Sequence, residues 1–199
     1  MMKTTVVAGA LLLALSPSVT AQIKVFSGVE DRKSASALYY TQENGFQTHG
    51  SVSITYGAPA WKKDYESEDM VNSLAGQRWR FGSGSWTTLD TSCDLEIGGV
   101  KVVAGSYYLV LELTKEKSIN LIVLEQKPVR DKHIYAAMAN MTKGGLSIPL
   151  QWTKDNDKVG NLEITLTPDS DKAEQLAFAV RWGNHKLTTD VHVEVAEGS

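Results

Sequence analysis

Between Thr87 and Ile97 the chain alternates apolar or small residues with polar ones without interruption. Leu89, Thr91, Cys93, Leu95 and Ile97 fall on one side; Thr88, Asp90, Ser92, Asp94 and Glu96 fall on the other. A period of two is the geometry of a strand that buries one face. Gly98-Gly99 follows at once, and paired glycines tolerate the positive φ angles that a two-residue hairpin demands. The best-patterned segment of the chain thus commits it to antiparallel pairing. The same style recurs in Ser51–Tyr56, Val100–Val103, Tyr107–Leu113 and Ser118–Glu125, and again in Leu146–Trp152, Leu162–Leu166, Leu176–Trp182 and Leu187–Val195. Polar turns are expected at Lys115–Lys117, Lys154–Lys158, Pro168–Lys172 and Gly183–His185. No strand–helix alternation calls for a parallel sheet.

Two segments read as short helices. Ser67 can cap one, with Glu68 and Asp69 in its first turn and Gly76 at its end. Asp131–Lys143 places Ile134, Met138 and Met141 at helical spacing before Gly144-Gly145. The expectation is a mostly β protein: a single antiparallel β-sandwich, jelly-roll or barrel-like, with one or two short helices, spanning residues 22–199.

Residues 1–21 read differently. Met1, Met2 and Lys3 begin the chain, Val6–Leu15 is an apolar run, Ser16-Pro17 breaks it, and Val19-Thr20-Ala21 supplies small or compact residues at a cleavage position. This is the pattern of a secretory signal peptide, and it predicts export to a periplasm or the exterior. The run is shorter than the ~20 residues of a membrane span, and no later segment approaches that length, so no span is expected once the signal is removed. Cys93 is the single cysteine. It cannot close an internal disulfide, so packing must hold the domain. The net charge of −3 excludes the strongly basic chains that neutralise nucleic-acid phosphates.

The candidates for chemistry cluster around Arg80. It lies between Trp79 and Phe81 and ahead of Gly82-Ser83-Gly84-Ser85. A guanidinium there can clamp a carboxylate or phosphate with help from loop amides. It can equally hold a sheet corner through an internal ion pair, with Asp90 or Glu96 as partner, and the rarity of unpaired buried arginine favours that role. Trp61, Trp79, Phe81 and Trp86, with Tyr56, are candidates for an aromatic platform under a sugar or other flat ligand, against the ordinary use of such rings in a sandwich core. Trp61 and Trp86 stand in loop-like contexts and are the better candidates for exposure. The ligand-binding candidates are therefore Arg80, Trp79, Trp86, Trp61 and Asp90.

The four histidines form no metal set. Asp190, His192 and Glu194 share one strand face, but at ~3.3 Å per residue their spacing is too wide for one ion with bonds of ~2 Å. No metal or cofactor is implied. Cys93 lies on the apolar face of its strand, where a small buried side chain is expected rather than a reactive thiol.

The segment Gln77-Arg-Trp-Arg-Phe-Gly82, followed by Thr87, the strand to Ile97, Gly98-Gly99 and Ala104-Gly105-Ser-Tyr107, resembles a family of exported bacterial proteins known as domain of unknown function 2911. Trp79, Arg80, Gly82, Thr87, Ala104, Gly105 and Tyr107 carry the resemblance. Ile54-Thr-Tyr-Gly-Ala-Pro59 and the Leu176–Val195 pair extend it across most of the chain. Ser83-Gly84 departs from the family's Ala-Asn pair, and Ala60–Gly76 lacks its usual arginine and Phe-Gly step. The resemblance implies an exported β-sandwich and assigns no activity. The favoured reading is a non-catalytic binding or structural module whose partner is a small molecule, glycan or envelope protein. The alternative is a hydrolase-type enzyme using carboxylates near Arg80.

Overall fold

A computed structural model describes residues 30–42 and 45–195, with Val25 and Gly28 in addition. The expected leader, residues 1–21, lies outside the described residues. Ten strands form one hydrogen-bonded sheet: β1 (Arg32–Thr41), β2 (Gln47–Gly57), β3 (Gln77–Arg80), β4 (Thr87–Thr91), β5 (Asp94–Ile97), β6 (Val100–Val102), β7 (Gly105–Leu113), β8 (Ile119–Glu125), β9 (Leu146–Pro168) and β10 (Gln175–Glu194). The order across the sheet is β1-β2-β4-β7-β8-β9-β10-β5-β6, with β3 paired to the far half of β7. Every strand pairing is antiparallel. Two short helices are present, α1 (Glu68–Leu74) and α2 (Gln126–Asp131). Among the described residues no helix is long and apolar enough to cross a membrane.

The path doubles back so that its two ends face each other. Val52, Ile54, Leu89, Leu109 and Leu121 from β2, β4, β7 and β8 meet Leu95, Ile97, Leu166, Phe178 and Val191 from β5, β9 and β10. The void left among them is about 10 Å³, too small and apolar for a ligand. Each such side chain contributes roughly 1.5–3 kcal/mol on burial, and this interior is what holds a domain that has no disulfide. A second, smaller cluster lies on the outer face of β7 and β8: Val110, Ile122 and Leu124 are covered by Val129 of α2 and Ala139. Covering on both faces explains why Tyr107–Leu113 and Ile119–Glu125 are apolar nearly throughout.

The alternation from Leu89 to Ile97 holds, with all five residues of its apolar side buried, but the segment is two strands. β4 pairs with β2 and β7 while β5 pairs with β10 and β6. At the corner, Thr91 Oγ1 donates to Cys93 O (2.7 Å) and accepts from Cys93 N (3.2 Å). Both strands keep one face inward because they line the same core from opposite sides. The Gly98-Gly99 hairpin forms as expected, with φ of 54° and 80°.

The C-terminal half differs more. Four strands were expected, and two long ones are found. The residues read as turns, Lys154–Lys158 and Gly183–His185, lie opposite one another across β9 and β10, where the register shifts. Both strands bend there together instead of ending, which lets the hairpin pass from one half of the sandwich to the other. The expected helix over Asp131–Lys143 is instead the end of α2 and a 3-10 segment, Ala136–Met141. Its buried residues are Ala136 and Ala139, and Met138 and Met141 stand exposed. The small alanines let this segment lie close on the sheet. α1 is found where expected, with the Ser67 hydroxyl accepting from Met70 N at 3.3 Å.

Candidate functional site

The bend of the β9–β10 hairpin assembles a surface group of aromatic residues. The link after β2 reaches it first. Trp61 N donates to Gly160 O (2.7 Å) and Leu162 N to Pro59 O (3.0 Å), so this short link pairs with the bulged part of β9 and closes the sandwich on that side. Trp182 Nε1 donates to Pro59 O at 2.9 Å. Trp61 and Trp182 then meet edge to face at 5.1 Å between ring centroids, and Tyr65 lies 5.8 Å from Trp61 and 4.7 Å from Trp182. Gly183 makes the fit possible. Its φ is +63°, and a Cβ there would stand 2.6 Å from the Trp61 ring. The indole lies directly on bare backbone.

Trp152 and His185 extend the group outward. Trp152 Nε1 donates to His185 Nδ1 at 3.0 Å, and the two rings stack at 5.7 Å with 25° between their planes. An indole N–H can only donate, so Nδ1 is the unprotonated nitrogen. Nε2 then carries the hydrogen and donates to Glu66 Oε1 at 2.8 Å. Both ring nitrogens are committed, which leaves His185 no lone pair to act as a general base in this state. The imidazole serves as a strut between Glu66 and Trp152. Trp152 itself is 51% exposed. In β9 it follows Ile148 and Leu150 on the inward-facing row, and in β10 Trp182 follows Phe178 and Val180. The shelf is thus the end of the core, where the two apolar rows run out into solvent.

On the other face of the hairpin, Arg181 Nε donates to Asp155 Oδ2 at 2.9 Å, and Nη1 lies 3.7 Å from Glu163. The Asp155 carboxyl is held below the usual carboxylate range, first by the backbone N–H of Asp157 and then by Arg181.

Of the residues expected to bind ligand, the structure brings only Trp61 to this shelf. Trp79 points inward and packs on the main core. Trp86 stacks on Tyr108 at 4.9 Å over the smaller outer cluster. Arg80 lies opposite Val110 and Asp90 opposite Ser106. They share the outer face but stand four β7 residues apart, about 13 Å at strand spacing, and form no ion pair with each other. Glu96 belongs to β5, in the other half of the sandwich. Arg80 Nη1 donates to Gly84 O at 3.1 Å, within its own loop.

That loop does hold a carboxylate, from the chain itself. Glu30 accepts from Ser85 N (3.1 Å) and Ser85 Oγ (2.9 Å) and pairs with Arg32 at 3.3 Å. These Ser85 donors, ahead of Arg32, lower the Glu30 pKa. Arg32 also donates to Thr55 O and Trp86 O.

The residues shared with the motif read from the sequence turn out to fix turns. The buried Thr87 hydroxyl bonds to Phe81 O and closes the Gly-Ser loop. Ala104 N donates to Asp94 Oδ1 (2.8 Å) and Tyr107 OH to Val103 O (2.7 Å), which together hold the turn between β6 and β7. His192 Nδ1 is taken by Gln175, and Glu194 pairs with Lys101. Among the described residues no three His, Cys, Asp or Glu side chains converge as metal ligands do.

Tyr65, Glu66, Trp152, Trp182 and His185 were absent from the sequence-based candidates. The available signal was that Trp152 and Trp182 precede, and His185 lies within, the two expected turns that face each other in the structure.

The class defined by this fold and site is an antiparallel β-sandwich with an aromatic surface at the bend of its longest hairpin. Residues 40–191 match the family described as protein of unknown function DUF2911, and the chain belongs to that family. The matched span contains every shelf residue. No curated protein and no solved structure matches the chain.

Proposed function

We propose that this is an exported, non-catalytic binding module that takes a saccharide on the shelf of Trp61, Trp152 and His185. The observation that carries the reading is the half-exposed Trp152 ring, fixed in place by the bond from its N–H to His185, which Glu66 holds in turn. A rigid indole face suits the C–H face of a pyranose, because it supplies contact area at little cost in side-chain entropy. A polar group at the margin, the carboxylate of Glu66, suits ring hydroxyls. Export rests on residues 1–21, and envelope glycans are the saccharides that such a protein would meet.

A glycan array followed by titration of intrinsic tryptophan fluorescence tests the proposal. Trp152→Ala should weaken binding tenfold or more while leaving the thermal midpoint close to that of the parent, since half the ring is already in solvent. Absence of any saccharide ligand, or an unchanged affinity in Trp152→Ala, would overturn it. Mass spectrometry of the exported protein should find a mature chain beginning at Gln22.

A further inference from the structure

We infer a second binding site, independent of the aromatic shelf, for a small hydroxylated carboxylate of the uronic-acid type. It is a groove of about 500 Å³ between the start of β3 and the segment after Ala136–Met141, lined by Gln77, Arg78, Glu112, Asn140, Lys143 and Gly144 among others. The volume falls within the range of small-molecule sites.

Arg78 is its anchor. It lies opposite Glu112 in the β3–β7 pairing, and its side chain is only 16% exposed. Nε donates to Glu112 Oε1 at 3.3 Å and Nη1 donates to Gly144 O at 2.9 Å. These two bonds fix the plane of the guanidinium. Nη2 has no protein partner among the described residues, so an oriented donor faces the groove. A fixed guanidinium edge is the group best suited to a carboxylate oxygen.

The charges select the ligand further. Arg78 and Lys143 against Glu112 leave the groove with one net positive charge, which matches a monoanion better than a dianion. A neutral hydroxyl-binding group accompanies it: Asn140 offers an amide. Glu112 has a second carboxylate oxygen. The Thr142 hydroxyl is committed to Ala139 O at 2.6 Å and helps to fix the wall instead. Two cations, one of them paired with Glu112, beside an amide and a free carboxylate oxygen fit an acid that also carries hydroxyls.

The test is calorimetric titration of the full chain with glucuronate, glucose, acetate and inorganic phosphate. Glucuronate should bind at least tenfold more tightly than glucose or acetate, and raising the salt concentration should weaken it. Arg78→Lys should reduce affinity tenfold or more. Because Arg78 also ties down Gly144, Lys143→Glu on the exposed rim provides a second variant, expected to fold normally and lose glucuronate binding to a similar degree. Trp152→Ala should leave this site unchanged, which separates it from the shelf. Phosphate binding as tight as glucuronate, or glucuronate binding unaffected by Lys143→Glu, would overturn the inference, as would no binding at all.

Discussion

Replacing Gly183 with alanine tests the shelf at its foundation. Gly183 has φ +63°, a left-handed conformation that costs a residue with a Cβ about 1–2 kcal/mol. The new methyl would also stand 2.6 Å from the Trp61 ring, well inside the ~3.5–4 Å of an ordinary carbon contact, so the indole must move by about 1 Å. Overpacking of this kind costs about 1–3 kcal/mol. The two effects together predict a loss of about 2–5 kcal/mol. A chain of this size loses roughly 2–4 °C of midpoint per kcal/mol, so the thermal midpoint should drop by at least several degrees. Urea unfolding followed by far-ultraviolet circular dichroism measures the loss, and tryptophan fluorescence reports the displaced ring. The backbone and steric parts separate in a double-mutant cycle. With Trp61→Ala already in place, Gly183→Ala should cost only the backbone part, about 1–2 kcal/mol. Equal costs in the two backgrounds would refute the claim that Trp61 rests on Gly183.

Two further expectations follow from the fold. Tyr56, 4% exposed, accepts a hydrogen bond from Ile164 N at 3.0 Å across the sandwich. Tyr56→Phe should therefore cost about 1–3 kcal/mol, the penalty for a buried N–H without a partner, measurable as a lower urea midpoint; an unchanged midpoint would remove that bond from the account. The second concerns pH. Glu30, Asp94 and Asp155 all have carboxyl pKa values lowered in the folded state, chiefly by hydrogen bonds from Ser85, from Ala104 N and from Asp157 N respectively. A depressed carboxylate contributes stability that is present above its unfolded pKa and is lost as pH falls through the folded one. Urea midpoints should thus hold at neutral pH and decline below about pH 4, and a combined Glu30→Gln, Asp94→Asn, Asp155→Asn variant should decline less steeply than the parent. A parallel decline would place the acid sensitivity elsewhere.

The antiparallel class of this protein was legible in its sequence because strand burial is a local property. Alternation at Leu89–Ile97 and the Gly98-Gly99 turn depend only on the pleat and on backbone sterics, which neighbouring residues dictate. The same locality shows why Lys154–Lys158 and Gly183–His185 read as turns. Glycine and clustered polar residues loosen a strand, and nothing local distinguishes a strand that ends from one that bends. The pairing of β9 with β10 decided it, since the two loosened segments lie side by side and can curve together without losing the ladder on either flank. The site follows the same division. Arg80 and its aromatic neighbours stand out when read along the chain, yet adjacent strand residues face opposite ways, so Trp79 enters the core while Arg80 stays on the outer face. Trp61, Trp152 and His185 lie far apart in the chain and meet only because the link after β2 crosses to the bulge of β9. Local residues determined that this chain forms strands and where many of them turn; the long-range closure of the sandwich alone decided which rings share a surface, because that contact depends on how distant strands pair.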